Sequence, residues 1–175
     1  SKHDAERYGR YLQSVLSGTK KINSGTLFPH DVLAQYGQSF VHGYQYTARE
    51  QASIEALWKG LPDMPEGLSI PVMIDVSGSM HSGSPRGVSV SPLTIALGIG
   101  LYYATRNKGV WRNKWLEFSK DVRFNELKPG ASLFEMVRGI NRENWNMNTN
   151  FQAVFNVVLK WYDSGKIKAD DIPQA

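Results

Sequence analysis

The 175-residue chain contains no cysteine. That removes disulfides, zinc–thiolate sites and thiol nucleophiles from consideration. It has no apolar run approaching the roughly 20 residues a membrane-spanning helix requires. Residues 1–7 show none of the apolar core of a secretory signal. A cytoplasmic location with no membrane partner is the expectation. Charge of one sign is also in short supply: charged residues make up 21% and the net is only +4, far from a chain that coats a polyanion. With 41% hydrophobic residues, the chain can build a core, and wholesale disorder is excluded. The small positive excess is local. Arg106, Lys108, Arg112, Lys114, Lys120 and Arg123 face only Glu117 and Asp121 in the same stretch, a local net that equals that of the whole chain.

Hydrophobic spacing predicts helices over 4–17, 30–36 and 48–59. The first presents Tyr8, Tyr11, Leu12, Val15 and Leu16 on one face, a packing face suited to further helices. The third starts at Thr47 with Glu50 three residues on, the pattern of a capping box. Pro62, Pro65 and Gly67 mark residues 61–68 as a linker, so the chain divides into a helical segment, 1–60, and a second unit, 69–175. There the pattern changes. Residues 69–76 form a short, nearly continuous apolar run, as in a buried parallel strand. A Ser/Gly loop follows, then a long apolar helix from Pro92, a strand over 115–119, a neighbour over 121–124, a helix capped by Ser132 and a helix over 151–162. Strand alternating with helix predicts an α/β fold with a parallel sheet.

The chemistry concentrates where the first strand ends. Asp75, Ser77 and Ser79 stand at alternate positions, so their oxygens converge beyond the strand's carboxyl end, where open α/β sheets bind ligands. One carboxylate and two hydroxyls are hard ligands suited to Mg²⁺ foremost, or to Mn²⁺ or Ca²⁺. They leave a divalent cation under-neutralised, with affinity for one further anionic oxygen from a partner's Asp or Glu or from a phosphate. The loop after Ser77 lacks the Gly-Lys-Ser/Thr of a nucleotide-binding loop, and Ser77 is not in a nucleophile elbow. A binding protein, not an enzyme, is expected. His81 lies near the site but reads as solvated surface.

At these residues the chain resembles the von Willebrand factor A family, whose metal-ion-dependent adhesion site is built on Asp-x-Ser-x-Ser, a Thr from a second loop and an Asp from a third. Asp75, Ser77 and Ser79 match the first element. Thr149, ahead of an apolar helix, is the best match for the second, with Asn150 where relatives commonly carry Asp. A helix N-cap is the other role open to Thr149. Asp170 and Asp171 are poor matches for the third. The resemblance implies a partial Rossmann-like A-type domain behind a helical segment, with missing strands supplied by another chain or by a longer native protein. Helices leading into such a domain also resemble the Ro autoantigen (TROVE) family, and more so a Ro-related family of phage, bacteria and plants. That likeness implies RNA binding. Two partners are therefore expected: a protein with an acidic residue, held through the cation, or RNA, held by the basic 106–123 stretch with its interleaved Tyr102, Tyr103, Trp111 and Trp115. For that stretch a solvated surface with the aromatics in the core is the simpler expectation.

Overall fold

The structure, a computed structural model, describes residues 2–20, 27–36, 46–65, 69–81, 90–140 and 150–172. Helix α1 spans Lys2–Leu16, α2 Pro29–Ala34 and α3 Ala48–Gly60. The predicted capping box of α3 forms. Thr47 Oγ1 accepts the Glu50 N–H at 3.3 Å, while the Glu50 carboxylate accepts the Thr47 N–H at 2.8 Å, so two donors at the helix start are satisfied reciprocally.

Strand β1, Met73–Asp75, is shorter than its apolar run. Residues 70–72 lead into it, held from the side. The buried amide of Asn107 accepts the Ile70 N–H at 3.1 Å and donates to the Ile70 carbonyl at 2.5 Å. One side chain thereby does the work of a neighbouring strand. A 3-10 turn, Gly78–His81, follows β1, and then helix α4, Pro92–Arg106, N-capped by Ser91. Strands β2, Lys114–Phe118, and β3, Val122–Glu126, complete a sheet in the order β1-β2-β3. Helix α5 covers Leu133–Gly139 and α6 Phe151–Asp163.

The fold is α/β, but the sheet is mixed, not parallel. β1 runs parallel to β2, with Asp75 opposite Phe118, whereas β3 is antiparallel, with Phe118 opposite Val122. The three residues between β2 and β3 are too few for a crossover, so the chain can only reverse. β1 consequently lies at one edge of the described sheet.

Two faces bury two sets of residues. Leu116 and Phe118 meet Val154 of α6 on one side. On the other, Trp115 joins Val72, Ile74 and Val76 with Leu97 and Leu101 of α4, Leu133 of α5, and Val32, Leu33 and Tyr36 of α2. Ile54 and Trp58 of α3 belong to the same cluster. Part of the helical segment thus shares the strands' core: α2 and α3 pack against the sheet's inner face. Two glycines permit this closeness. A Cβ on Gly98 would lie 2.6 Å from the His30 Cα of α2, and one on Gly100 would lie 2.3 Å from Ile74 Cδ1.

Helix α1 docks on α3 through Leu12, Val15 and Ala56. Of its predicted face, Tyr8 and Tyr11 remain exposed, with the Arg49 guanidinium over the Tyr8 ring at 4.8 Å. No described helix is long and apolar enough to cross a membrane.

Candidate functional site

Asp75 ends β1 at the register position of Phe118. The pairing continues one step further, since the Val76 N–H donates to the Phe118 carbonyl at 3.1 Å. The chain then turns. The Ser77 N–H donates to Asp75 Oδ1 at 2.8 Å, and the Met80 N–H donates to the Ser77 carbonyl at 3.0 Å. These bonds fold residues 75–80 into a compact bend held by backbone donors. Inside it, the Ser77 and Ser79 hydroxyl oxygens stand 3.2 Å apart. Ser77 is buried, Asp75 half-buried and Ser79 exposed, so the oxygens run from the sheet end out to the surface.

A hard cation suits this donor set. One carboxylate is oriented by a backbone N–H, and two hydroxyl oxygens are already within mutual reach. Among the described residues no three His, Asp or Glu side chains gather into a cluster, so a cation here would depend on the single carboxylate and the hydroxyls. Beside the bend, burial pushes the His81 imidazole below its ordinary value, opposed by a hydrogen bond with the Val76 backbone.

Thr149 lies outside the described residues, as does the rest of the loop from 82 to 89. Its neighbour is informative. Asn150, not Thr149, caps α6, its side-chain oxygen accepting the Ala153 N–H at 3.1 Å. The Asn150 N–H donates to the Ser119 carbonyl at 2.9 Å. Ser119 directly follows β2, so α6 begins at the same end of the sheet as Asp75. Asp171 is elsewhere. Its carbonyl accepts the indole N–H of Trp111 at 2.7 Å, and Trp111 precedes β2, at the opposite end.

The basic stretch does not form one surface. Arg106 has an 11% exposed side chain. Its Nη2 donates to the Trp58 carbonyl at 2.7 Å, and its guanidinium lies over Tyr102 at 4.5 Å. Lys114 donates to the Val110 carbonyl at 2.8 Å and pairs with Glu126 at 3.8 Å. Lys108, Arg112 and Lys120 are exposed, and Arg123 is half-buried. Trp111 and Trp115 are buried, so neither offers a ring on which a base could stack.

One buried group carried no motif. Glu117 is 0% exposed in the middle of β2. Its Oε1 accepts the Trp115 indole N–H at 3.0 Å, while Oε2 has no partner among the described residues. Burial pushes its carboxyl up, against the Trp115 and Asn125 side chains and the Arg123 charge, which favour the ionised form. In the sequence it reads as a surface charge offsetting its basic neighbours. Its place between Leu116 and Phe118 on the central strand was the available signal.

Three comparisons bear on this geometry. Residues 1–63 match the profile of one domain of unknown function, DUF2828. Over 165 residues the chain is 26% identical to uncharacterized protein L728 of Acanthamoeba polyphaga mimivirus, covering 94% of this chain and 27% of that protein. The chain thus spans about a quarter of the length of the curated relative it matches. No solved structure matches. The second profile, domain of unknown function DUF7788, takes in residues 69–174, the strands, the Asp75–Ser79 bend and the helices behind it, and the chain belongs to that family.

Proposed function

We infer that this chain is an A-type domain that binds its partner through a divalent cation held at the carboxyl end of β1. The observation that carries the reading is the convergence of Asp75, Ser77 and Ser79 in one backbone-stabilised bend. Three features support it. The bend closes a strand that runs parallel to its neighbour through a helical crossover, the arrangement in which strand ends bind ligands. Its ligands are hard oxygens. The start of α6 stands at the same sheet end, which brings the sequence position after Thr149 into the neighbourhood. In this reading Asp75, Ser77, Ser79 and Thr149 hold the ion, Mg²⁺ in the first instance. The ion, short of negative charge, supplies an electrostatic anchor for a carboxylate or phosphate on the partner. The protein's own part is to fix the oxygens and their spacing, and no nucleophile with a base is called for.

The Ro-like, RNA-binding reading has less behind it. Of its aromatics, Trp111 and Trp115 are core residues and Tyr102 and Tyr103 are half-buried, and Arg106 and Lys114 are engaged internally. Exposed Lys108, Arg112 and Lys120 are what remains in its favour.

The test is a thermal melt of the chain in Mg²⁺, Mn²⁺ or Ca²⁺ against chelator. Asp75 Oδ1 is held by the backbone N–H of Ser77, not its hydroxyl, so Ser77→Ala/Ser79→Ala should keep the bend while losing two ligands. A metal-dependent rise in the wild type that the double variant lacks is the expected result. Equal melts with and without metal in the wild type would sink the reading.

A further inference from the structure

At the other end of α4 lies a cleft with a different chemistry. The helix is 15 residues long, so its two ends are roughly 20 Å apart. Its first turn follows the Asp75 loop, and its last residue, Arg106, reaches the floor of a cleft of about 480 Å³ between α3, α4 and the loop from β3 to α5. That volume falls in the range of about 300–1,000 Å³ typical of small-molecule sites. The ionisable groups lining it are Lys59, Arg106, Arg112 and Lys128 against Glu55 and Asp63, an excess of two positive charges.

The acidic groups are poorly placed to neutralise Arg106. Glu55 is occupied: its Oε2 accepts the Leu133 N–H at 2.8 Å, and Lys59 stands 3.9 Å from its Oε1. Asp63 is 94% exposed and reaches only to 3.9 Å from Arg106 Nε. That Nε–H is buried and has no hydrogen-bond partner among the described residues. The guanidinium itself is immobilised, clamped by the carbonyls of Trp58 and Leu61 at the end of α3 and by the Tyr102 and Trp58 rings. A fixed planar cation with an unsatisfied donor, flanked by the exposed cations Arg112 and Lys128, is an arrangement for an oxyanion that displaces the loosely held Asp63 carboxylate. Planar charge-assisted donors of this kind favour phosphoryl oxygens. Burial also draws the Arg106 guanidinium below its ordinary value, a cost that a bound anion would relieve.

We propose that this cleft is a binding site for a small phosphate ester, with Arg106 as its anchor and Arg112 and Lys128 as its rim. The site is separate from the Asp75 bend and needs no metal.

The experiment titrates the full chain, in chelator, with inorganic phosphate, O-phosphoserine and a ten-nucleotide RNA at constant ionic strength, following the Arg106 Nε–H resonance by NMR. Chelator silences the Asp75 site, so failure here leaves the metal reading untouched. Phosphate or phosphoserine should move that resonance saturably. Arg112→Gln/Lys128→Gln, both exposed positions, should weaken Kd at least fivefold. Lys120→Gln/Lys160→Gln, which removes the same charge outside the cleft, should leave Kd unchanged. Absence of a saturable shift with either small ligand overturns the proposal. So does equal weakening by the two double variants, which would mean general charge attraction. A response to RNA alone also overturns it, in favour of an extended polyanion surface.

Discussion

The closeness of α2 to α4 can be tested with one methyl group. Gly98→Ala has two opposed effects. Alanine in a helix interior is favoured over glycine by about 1 kcal/mol. The new Cβ, however, would stand 2.6 Å from His30 Cα and 2.8 Å from His30 N, where carbon contacts settle near 3.5–4.0 Å. Both atoms are backbone, so no rotamer change relieves the overlap. α2 must move away by about 1 Å, a separation set by that contact distance, and it carries Val32 and Leu33, both fully buried. Overpacking of this kind costs about 1–3 kcal/mol and should exceed the propensity gain, leaving a net loss of up to about 2 kcal/mol. Gly9 of α1 is the control, since a Cβ there meets nothing within 4 Å. Gly9→Ala should therefore stabilise by about 0.5–1 kcal/mol. Urea midpoints and thermal melts by circular dichroism would read both variants. At about 2–4 °C per kcal/mol for a chain of this size, Gly98→Ala should melt below the wild type and Gly9→Ala above it. A Gly98→Ala protein that melts at or above the wild type would refute the contact between α2 and α4.

Two further outcomes follow from hydrogen bonding and burial. The Glu117 carboxyl is raised by burial, so the folded state keeps its proton when the unfolded chain has released it. Below the ordinary value of 4.5 both states are protonated and nothing is lost. As pH rises above it, folded stability declines until the folded group also ionises. Glu117→Gln keeps the shape and an acceptor for the Trp115 indole. It should match the wild type near pH 4 and be more stable near pH 7, by about 1.4 kcal/mol for each pH unit by which burial raises the carboxyl. An equal gain at both pH values would show that charge is not the cause. Thr47→Ala removes the hydroxyl that accepts the Glu50 N–H and should cost about 1 kcal/mol, with Thr47→Ser near neutral; equal urea midpoints for Ala and wild type would count against the cap.

The local elements were legible in the sequence because their determinants are local. Thr47 with Glu50, and Ser132 ahead of α5, each fix a helix start through bonds within four residues. The apolar run before Asp75 and the alternation of Asp75, Ser77 and Ser79 likewise placed a candidate cation site at a strand end without reference to any distant residue. Tertiary structure decided what depends on distant neighbours. The change of pattern at residues 61–68 says nothing of which elements touch, whereas in the fold Val32, Ile54 and Trp58 pack into the same core as Ile74 and Leu97, because α2 and α3, with α5, cover the apolar face that β1 and α4 present. Charge along the chain groups Arg106 with its basic neighbours, but packing turned it inward against Trp58 and Tyr102. Glu117 reads as one more surface charge, and the central position of β2 buried it. A side chain's type is written in the sequence; whether its charge meets water or protein is set by which elements fold over it.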